Sequence, residues 1–217
     1  VPGVMARYGK RTIAVAPSLG FAIAATGASA YVFQAPFTAP TATSVAIPGS
    51  VAGYQTQAIA FNAASRAFIA HSAGISVLDP PYTAVAFTIP GNFEAIAISA
   101  DGNTLLLTNL DANVSIFTAP FSAASTPAVL TIPAGGSLDG IAITPDGSRA
   151  LVVTGIGAAD QIHSIAAPFT AASVVERIQL PTGLGTFEDI SISADGLYAL
   201  MTGNSGASMG MVRAPFT

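Results

Sequence analysis

The sequence predicts an all-β chain folded as a β-propeller, and three recurrences predict it. A hairpin signature occurs five times, a proline-aromatic corner occurs five times, and the short runs between them are apolar and β-type. Repeats of about 39 to 48 residues mark units that cannot bury their own faces and must stack on their neighbours.

The hairpin signature is clearest as Ile-Ala-Ile-Ser-Ala-Asp-Gly at 96–102, Ile-Ala-Ile-Thr-Pro-Asp-Gly at 141–147 and Ile-Ser-Ile-Ser-Ala-Asp-Gly at 190–196. Degenerate copies stand at 13–20 and 59–65, and the turn position falls on Ser18, Ala64, Asp101, Asp146 and Asp195. Asp-Gly between two apolar runs specifies a tight hairpin, because both residues tolerate positive φ. The corner reads Ala-Pro-Phe-Thr at 35–38, 167–170 and 214–217, Pro-Pro-Tyr-Thr at 80–83 and Ala-Pro-Phe-Ser at 119–122. Proline suits such a corner, where no ladder N–H is required.

Each unit then reads as strand A (such as 94–99), turn, strand B (104–108), loop, strand C (113–117), corner and strand D (127–132). Leu105-Leu106-Leu107 and Leu151-Val152-Val153 are apolar in succession rather than alternating, as expected of sheets covered on both faces. That pattern favours blades over a sandwich, and the repeat is too long for the coils of a parallel β-helix. The blades are expected at about 11–49, 56–91, 93–134, 138–183 and 187–217, within one domain spanning 1–217.

Ile-Pro-Gly closes strand D at 47–49 and 89–91, and Val1-Pro2-Gly3 matches it. Thr217 falls just before a fifth strand D is due. The pattern therefore predicts five recognisable blades, the last lacking its outer strand, as part of a larger or completed ring. Further blades elsewhere in the protein, a five-bladed ring without its last outer strand, or a strand or blades from a partner chain would account for the pattern.

Composition narrows the function classes. A chain of 217 residues buries roughly 70 % of its extended surface, so stability requires neither disulfide nor metal. The net charge of −4, with no basic run, argues against a nucleic-acid surface. The absence of cysteine removes disulfides, thiolate metal sites and a cysteine nucleophile. The least polar stretch, 12–37, is interrupted by Pro17, Gly20, Gly27 and Pro36, so no transmembrane helix of about 20 residues fits.

The run Ile-Ser-Ala-Asp-Gly-Asn-Thr-Leu-Leu-Leu-Thr-Asn at 98–109, followed by Val-Ser-Ile-Phe at 114–117, resembles the YVTN-type propeller repeat. Such repeats occur in surface-layer and periplasmic proteins and in lactonase-like folds. The resemblance spans nearly the whole chain, with the Ala-Pro-Phe corner standing where those repeats carry a polar turn. It implies that strand A lines a central channel and begins on the face carrying the B–C loops. It also implies an extracellular or periplasmic protein.

Aligning the repeats places Arg11, Gln57, Glu94, Asp139 and Glu188 at one position, two before the repeat isoleucine. Thr26, His71, Thr108, Thr154 and Thr202 are expected at the end of strand B on the same face, with Asp189 nearby. Glu94, Asp139 and Glu188 could converge as oxygen ligands, and Ca2+ takes six to eight of these. The plainer reading is that they cap strand ends, pair with Arg11 and bind channel water.

The candidate site is thus Arg11, Gln57, His71, Glu94, Asp139, Glu188 and Asp189, with no catalytic group assigned. Asp101, Asp146 and Asp195 are expected to be turn residues. Tyr54, Phe93 and Phe187, in D–A loops, could stack on a sugar or pack over the blade tops.

Two functions follow. The first is a non-catalytic binding or structural propeller, engaging a protein partner, another copy of itself, or a sugar or small ligand. The second is a metal-assisted, lactonase-like hydrolase, with Glu94, Asp139 and Glu188 as ligands and His71 as base.

Overall fold

Five tight hairpins, each set by a residue with positive φ, organise the chain. Gly20, Gly102, Gly147 and Gly196 take this conformation at no steric cost, while in the second repeat Ser65 adopts it at φ 61. The computed structural model describes residues 12–16, 20–37, 42–49, 58–109, 111–133, 136–154, 161–180, 187–203 and 209–217.

The first blade comprises β1 (Ile13–Val15), β2 (Phe21–Thr26), β3 (Ser29–Gln34) and β4 (Ala42–Ala46). The second comprises β5 (Ala58–Phe61), β6 (Ala67–His71), β7 (Gly74–Leu78) and β8 (Phe87–Pro90). The third comprises β9 (Ala95–Ile98), β10 (Thr104–Thr108), β11 (Asn113–Thr118) and β12 (Ala128–Thr131). The fourth comprises β13 (Leu138–Ile143), β14 (Arg149–Thr154), β15 (Gln161–Ala166) and β16 (Val175–Gln179). The fifth comprises β17 (Phe187–Ile192), β18 (Tyr198–Gly203) and β19 (Met209–Arg213).

Each blade is an antiparallel meander with its strands in sequence order, four to a sheet in the first four blades and three in the fifth. Among the described residues no helix forms, so none is long and apolar enough to cross a membrane. The fold is a β-propeller.

Blades stack through four apolar joints, each made between consecutive blades. Within strand A the side chains divide by size. Ile59, Ile96, Ile141 and Ile190 face the preceding blade, whereas the alanines Ala58, Ala97 and Ala142 face the next. Strand B supplies large residues to both faces, and Leu105, Leu106 and Leu107 are all fully buried. Burial contributes roughly 1.5–3 kcal/mol for each such side chain.

The corner aromatic extends the joint toward the preceding blade. Tyr82 meets Phe21 and Phe61 edge-on, at 5.2 and 5.9 Å between centroids, and its hydroxyl donates to the Ser65 carbonyl. Phe121 meets Phe68 in the same way at 5.3 Å. The proline of all five corners follows a cis peptide bond.

Outer strands are tied by half-exposed ion pairs. Arg66 grips the Asp79 carboxylate with two nitrogens across β6 and β7. Arg149 reaches Ser164 and Glu176 across β14, β15 and β16. At this exposure each pair is worth at most about 1 kcal/mol.

Candidate functional site

The inner strands of all five blades line a cavity of about 320 Å³. Its wall is Ala14 and Val15 from β1, Ile59, Ala60 and Phe61 from β5, Ile96, Ala97 and Ile98 from β9, Ala142 and Ile143 from β13, and Ile192 from β17. Every one of these side chains is apolar. The wall was not foreseen as a unit, although its signal was the second apolar residue of each strand A (Val15, Phe61, Ile98, Ile143 and Ile192).

The two ends of this channel differ. At the hairpin end, one network is built three times. The Asp101 carboxylate accepts from the Ser99 hydroxyl and the Asn103 amide. Asp146 accepts likewise from Thr144 and Ser148, and Asp195 from Ser193 and Leu197. These hydrogen bonds, the hydroxyl foremost, hold all three carboxyls below the usual range, with Asp146 at about 2. The expectation that these aspartates build turns therefore holds.

At the opposite end, the mouth, hydrogen bonds draw strand A, the end of strand B and the B–C loop together. The Glu94 amide donates to the Thr108 carbonyl, and the Leu138 amide donates to Asp111 O of the preceding blade. The Thr108 hydroxyl donates to the Asp139 carbonyl. Start of A, end of B and B–C loop thus share one face. Asp139 is buried there, and Glu94, Glu188 and Asp189 are half-buried. None of these four is without a partner. Arg11, Gln57 and Tyr54 lie outside the described residues.

Equal spacing in sequence does not give equal placement at the mouth. In the fourth blade the β13–β14 register shifts between Leu138 and Ile141, so Asp139 and Gly140 sit in a bulge. In the fifth the β17–β18 register shifts between Phe187 and Asp189, so Glu188 is the extra residue. The third blade pairs Ala95 with Thr108 and runs on without a shift, with Glu94 just before it. A bulge turns its side chain away from the direction the regular repeat would give. Among the described residues no group of three or more histidine, aspartate or glutamate side chains could hold a metal ion. Glu94, Asp139 and Glu188 are therefore not gathered into a chelating set.

The bulge had a legible cause. Gly140 stands where the second and third repeats have Ala58 and Ala95, and a Cβ there would stand 2.7 Å from the Asp189 Cα. Glycine in a strand marks such a close backbone approach.

Pairing also corrects the strand B alignment. Ile59, Ile96, Ile141 and Ile190 pair with Ile69, Leu107, Val152 and Met201. Counting from these, His71 matches Thr154 and Asn109, while Thr108 and Thr202 stand one position earlier.

His71 offers no base to the channel. The ring is fully buried. Its Nδ1 accepts from the Ala73 amide at 3.2 Å, which leaves the proton of the neutral ring on Nε2, 2.9 Å from Ser76 Oγ. Ser76 continues to Thr88 at 3.3 Å. Burial pushes the His71 pKa down to about 4, so the ring is neutral across the physiological range. Ser76 and Thr88, missed in the sequence, are what make it a structural residue.

His163, on β15, is also buried, and its Nε2 has no hydrogen-bond partner among the described residues. Burial, then the Arg177 charge, lowers its pKa. Phe93 and Phe187 are core residues rather than stacking platforms. Phe93 is buried edge-on to Phe117 at 5.9 Å, and Phe187 packs with Ile190 and Met201.

No protein-family model and no curated protein sequence matches the chain. Its backbone is similar to a solved structure described as Kuenenia stuttgartiensis hydrazine synthase, with a TM-score of 0.72 and 17 % identity over 87 % of this chain. The chain spans 60 % of the length of that one, and the likeness carries the propeller fold and nothing of its chemistry.

Proposed function

We propose that the chain is a non-catalytic binding or structural propeller of the YVTN-repeat type, exported or displayed at a cell surface. It engages a protein partner, or a sugar or other small ligand, through its mouth face. The supporting observation is the contrast along the channel. The wall is apolar from all five blades, while acidic side chains lie at the mouth. An apolar wall supplies no acid, base or nucleophile, whereas Glu94, Asp139, Glu188 and Asp189 supply acceptors for ligand hydroxyl or ammonium groups. Arg11 and Gln57 belong to the same proposed surface through their repeat position.

The test is a panel of immobilised oligosaccharides and cationic peptides read by interferometry, run beside hydrolysis of simple lactones. A ligand whose affinity falls at least tenfold in Glu188→Gln supports the reading. Lactone turnover above the uncatalysed rate that Glu94→Gln abolishes overturns it in favour of the hydrolase.

A further inference from the structure

Two sheet faces of this propeller are apolar and open, and both carry the residues that form joints elsewhere in it. On the first blade, Ile13 is 60 % exposed, whereas its counterparts Ile59, Ile96, Ile141 and Ile190 are buried against the preceding blade. Val15 is 62 % exposed beside it. Phe37, the corner aromatic, is 55 % exposed, although Tyr82 and Phe216 at the same repeat position are buried on the blade before them. These three residues have in common that, among the described residues, no blade packs against their face.

The fifth blade shows the complementary face. Leu200 pairs with Met211, and Thr202 pairs with Met209. Leu200 is 44 % exposed, although Phe68, Leu106 and Leu151 at its position are fully buried. Met209 and Met211 are 64 % and 67 % exposed, where Ile75, Val77, Val114 and Ile116 are buried against the next blade. Six large apolar side chains on two faces are thus solvent-exposed at positions that the internal joints bury or half-bury. Isolated exposed hydrophobics are ordinary, but a set confined to two sheet faces in interblade register marks an interface.

We propose that these faces are joints through which the arc continues into further blades of the same polypeptide, closing a ring of more than five. The occupant's chemistry is set by the rule the four existing joints obey. The blade against Leu200, Met209 and Met211 brings an isoleucine and a second large apolar residue two positions on along its strand A, as Ile59 and Phe61 or Ile96 and Ile98 do. The blade against Ile13 and Val15 brings small residues on strand A and large ones on strand B. Every existing joint is made between blades consecutive in sequence, and continuity with those joints selects blades in cis over a separate partner. The inference does not depend on what the mouth binds.

Methionine chemistry reads this face directly, because sulfoxide formation follows exposure. Met201 lies fully buried on the other face of β18 and is an internal reference. The natural protein, purified from its own cells, is treated with dilute peroxide across a hundredfold range of protein concentration. Peptide masses follow each methionine, and the denatured mass of the intact chain is recorded. Met209 and Met211 oxidising as slowly as Met201 at every dilution, in a chain long enough to hold further blades, is the expected result. Oxidation at least tenfold faster than Met201 overturns the proposal by showing the face open. Protection lost on dilution assigns the face to a second copy, and protection that travels with a second polypeptide assigns it to a partner; either overturns it as well.

Discussion

The hairpin end and the mouth end of the channel are built on the same five inner strands, yet their side chains follow opposite rules. At the hairpin end the repeat is kept: three aspartates make the same pair of hydrogen bonds to a hydroxyl two residues before and an amide two residues after. At the mouth the repeat is broken, with Arg11, Gln57, Glu94, Asp139 and Glu188 at one sequence position and bulges in two blades. Where a turn must close, geometry dictates the residue. Where residues vary against a constant framework, the framework does not require them, which is why the proposed function assigns recognition to them.

The sharpest exception to this division is His71, which stands at the mouth end yet serves the structure. His71→Ala removes a buried ring and the nearer of the two hydrogen-bond partners of Ser76, so a loss of about 2–4 kcal/mol is expected in denaturant unfolding. A loss below about 0.5 kcal/mol would return His71 to the functional set.

The same residue gives the largest pH effect. Its ring binds a proton at about 4 in the fold, against 6.5 unfolded, so acid favours the unfolded chain between these values. Stability is expected to fall by on the order of 2–3 kcal/mol as pH drops from about 7 to 4. That slope should be missing from His71→Ala, as thermal unfolding across pH will show.

Ser65 sharpens the hairpin side. It holds a φ of 61 where the other hairpins carry glycine, so Ser65→Gly is expected to raise stability by up to about 1 kcal/mol. A decrease in melting temperature would mean that its side chain contributes more than its backbone loses.

Smaller still is Asp146→Asn. The Asp146 carboxyl titrates at about 2 against 3.8 unfolded, so its stabilisation is complete above 3.8 and lost as pH falls toward 2. A slightly lower melting temperature at neutral pH, converging with the parent near pH 2, is expected.

The blades were legible because their determinants are local. Asp-Gly turns, the Ala-Pro-Phe corner and doubly apolar runs such as Leu105-Leu106-Leu107 each act within a few residues. What escaped reading depends on contacts between blades. The bulge at Asp139 arises with the approach of β13 to β17, and the burial of His71 depends on Ser76 and Thr88 from two other strands. Spacing in one strand carries no record of either, so the carboxylates aligned in sequence do not converge. Gly140 was the one residue whose identity pointed to the difference.

The measurement that bears most directly on the central claim compares two double variants with the parent against the ligand selected from the panel. Asp139→Asn with Glu188→Gln alters the mouth, and Asp146→Asn with Asp195→Asn alters the hairpin end. The mouth variant is expected to lose at least tenfold in affinity, while the hairpin variant keeps its affinity and melts lower. Equal affinity in both variants, or a loss confined to the hairpin variant, would contradict the assignment of recognition to the mouth.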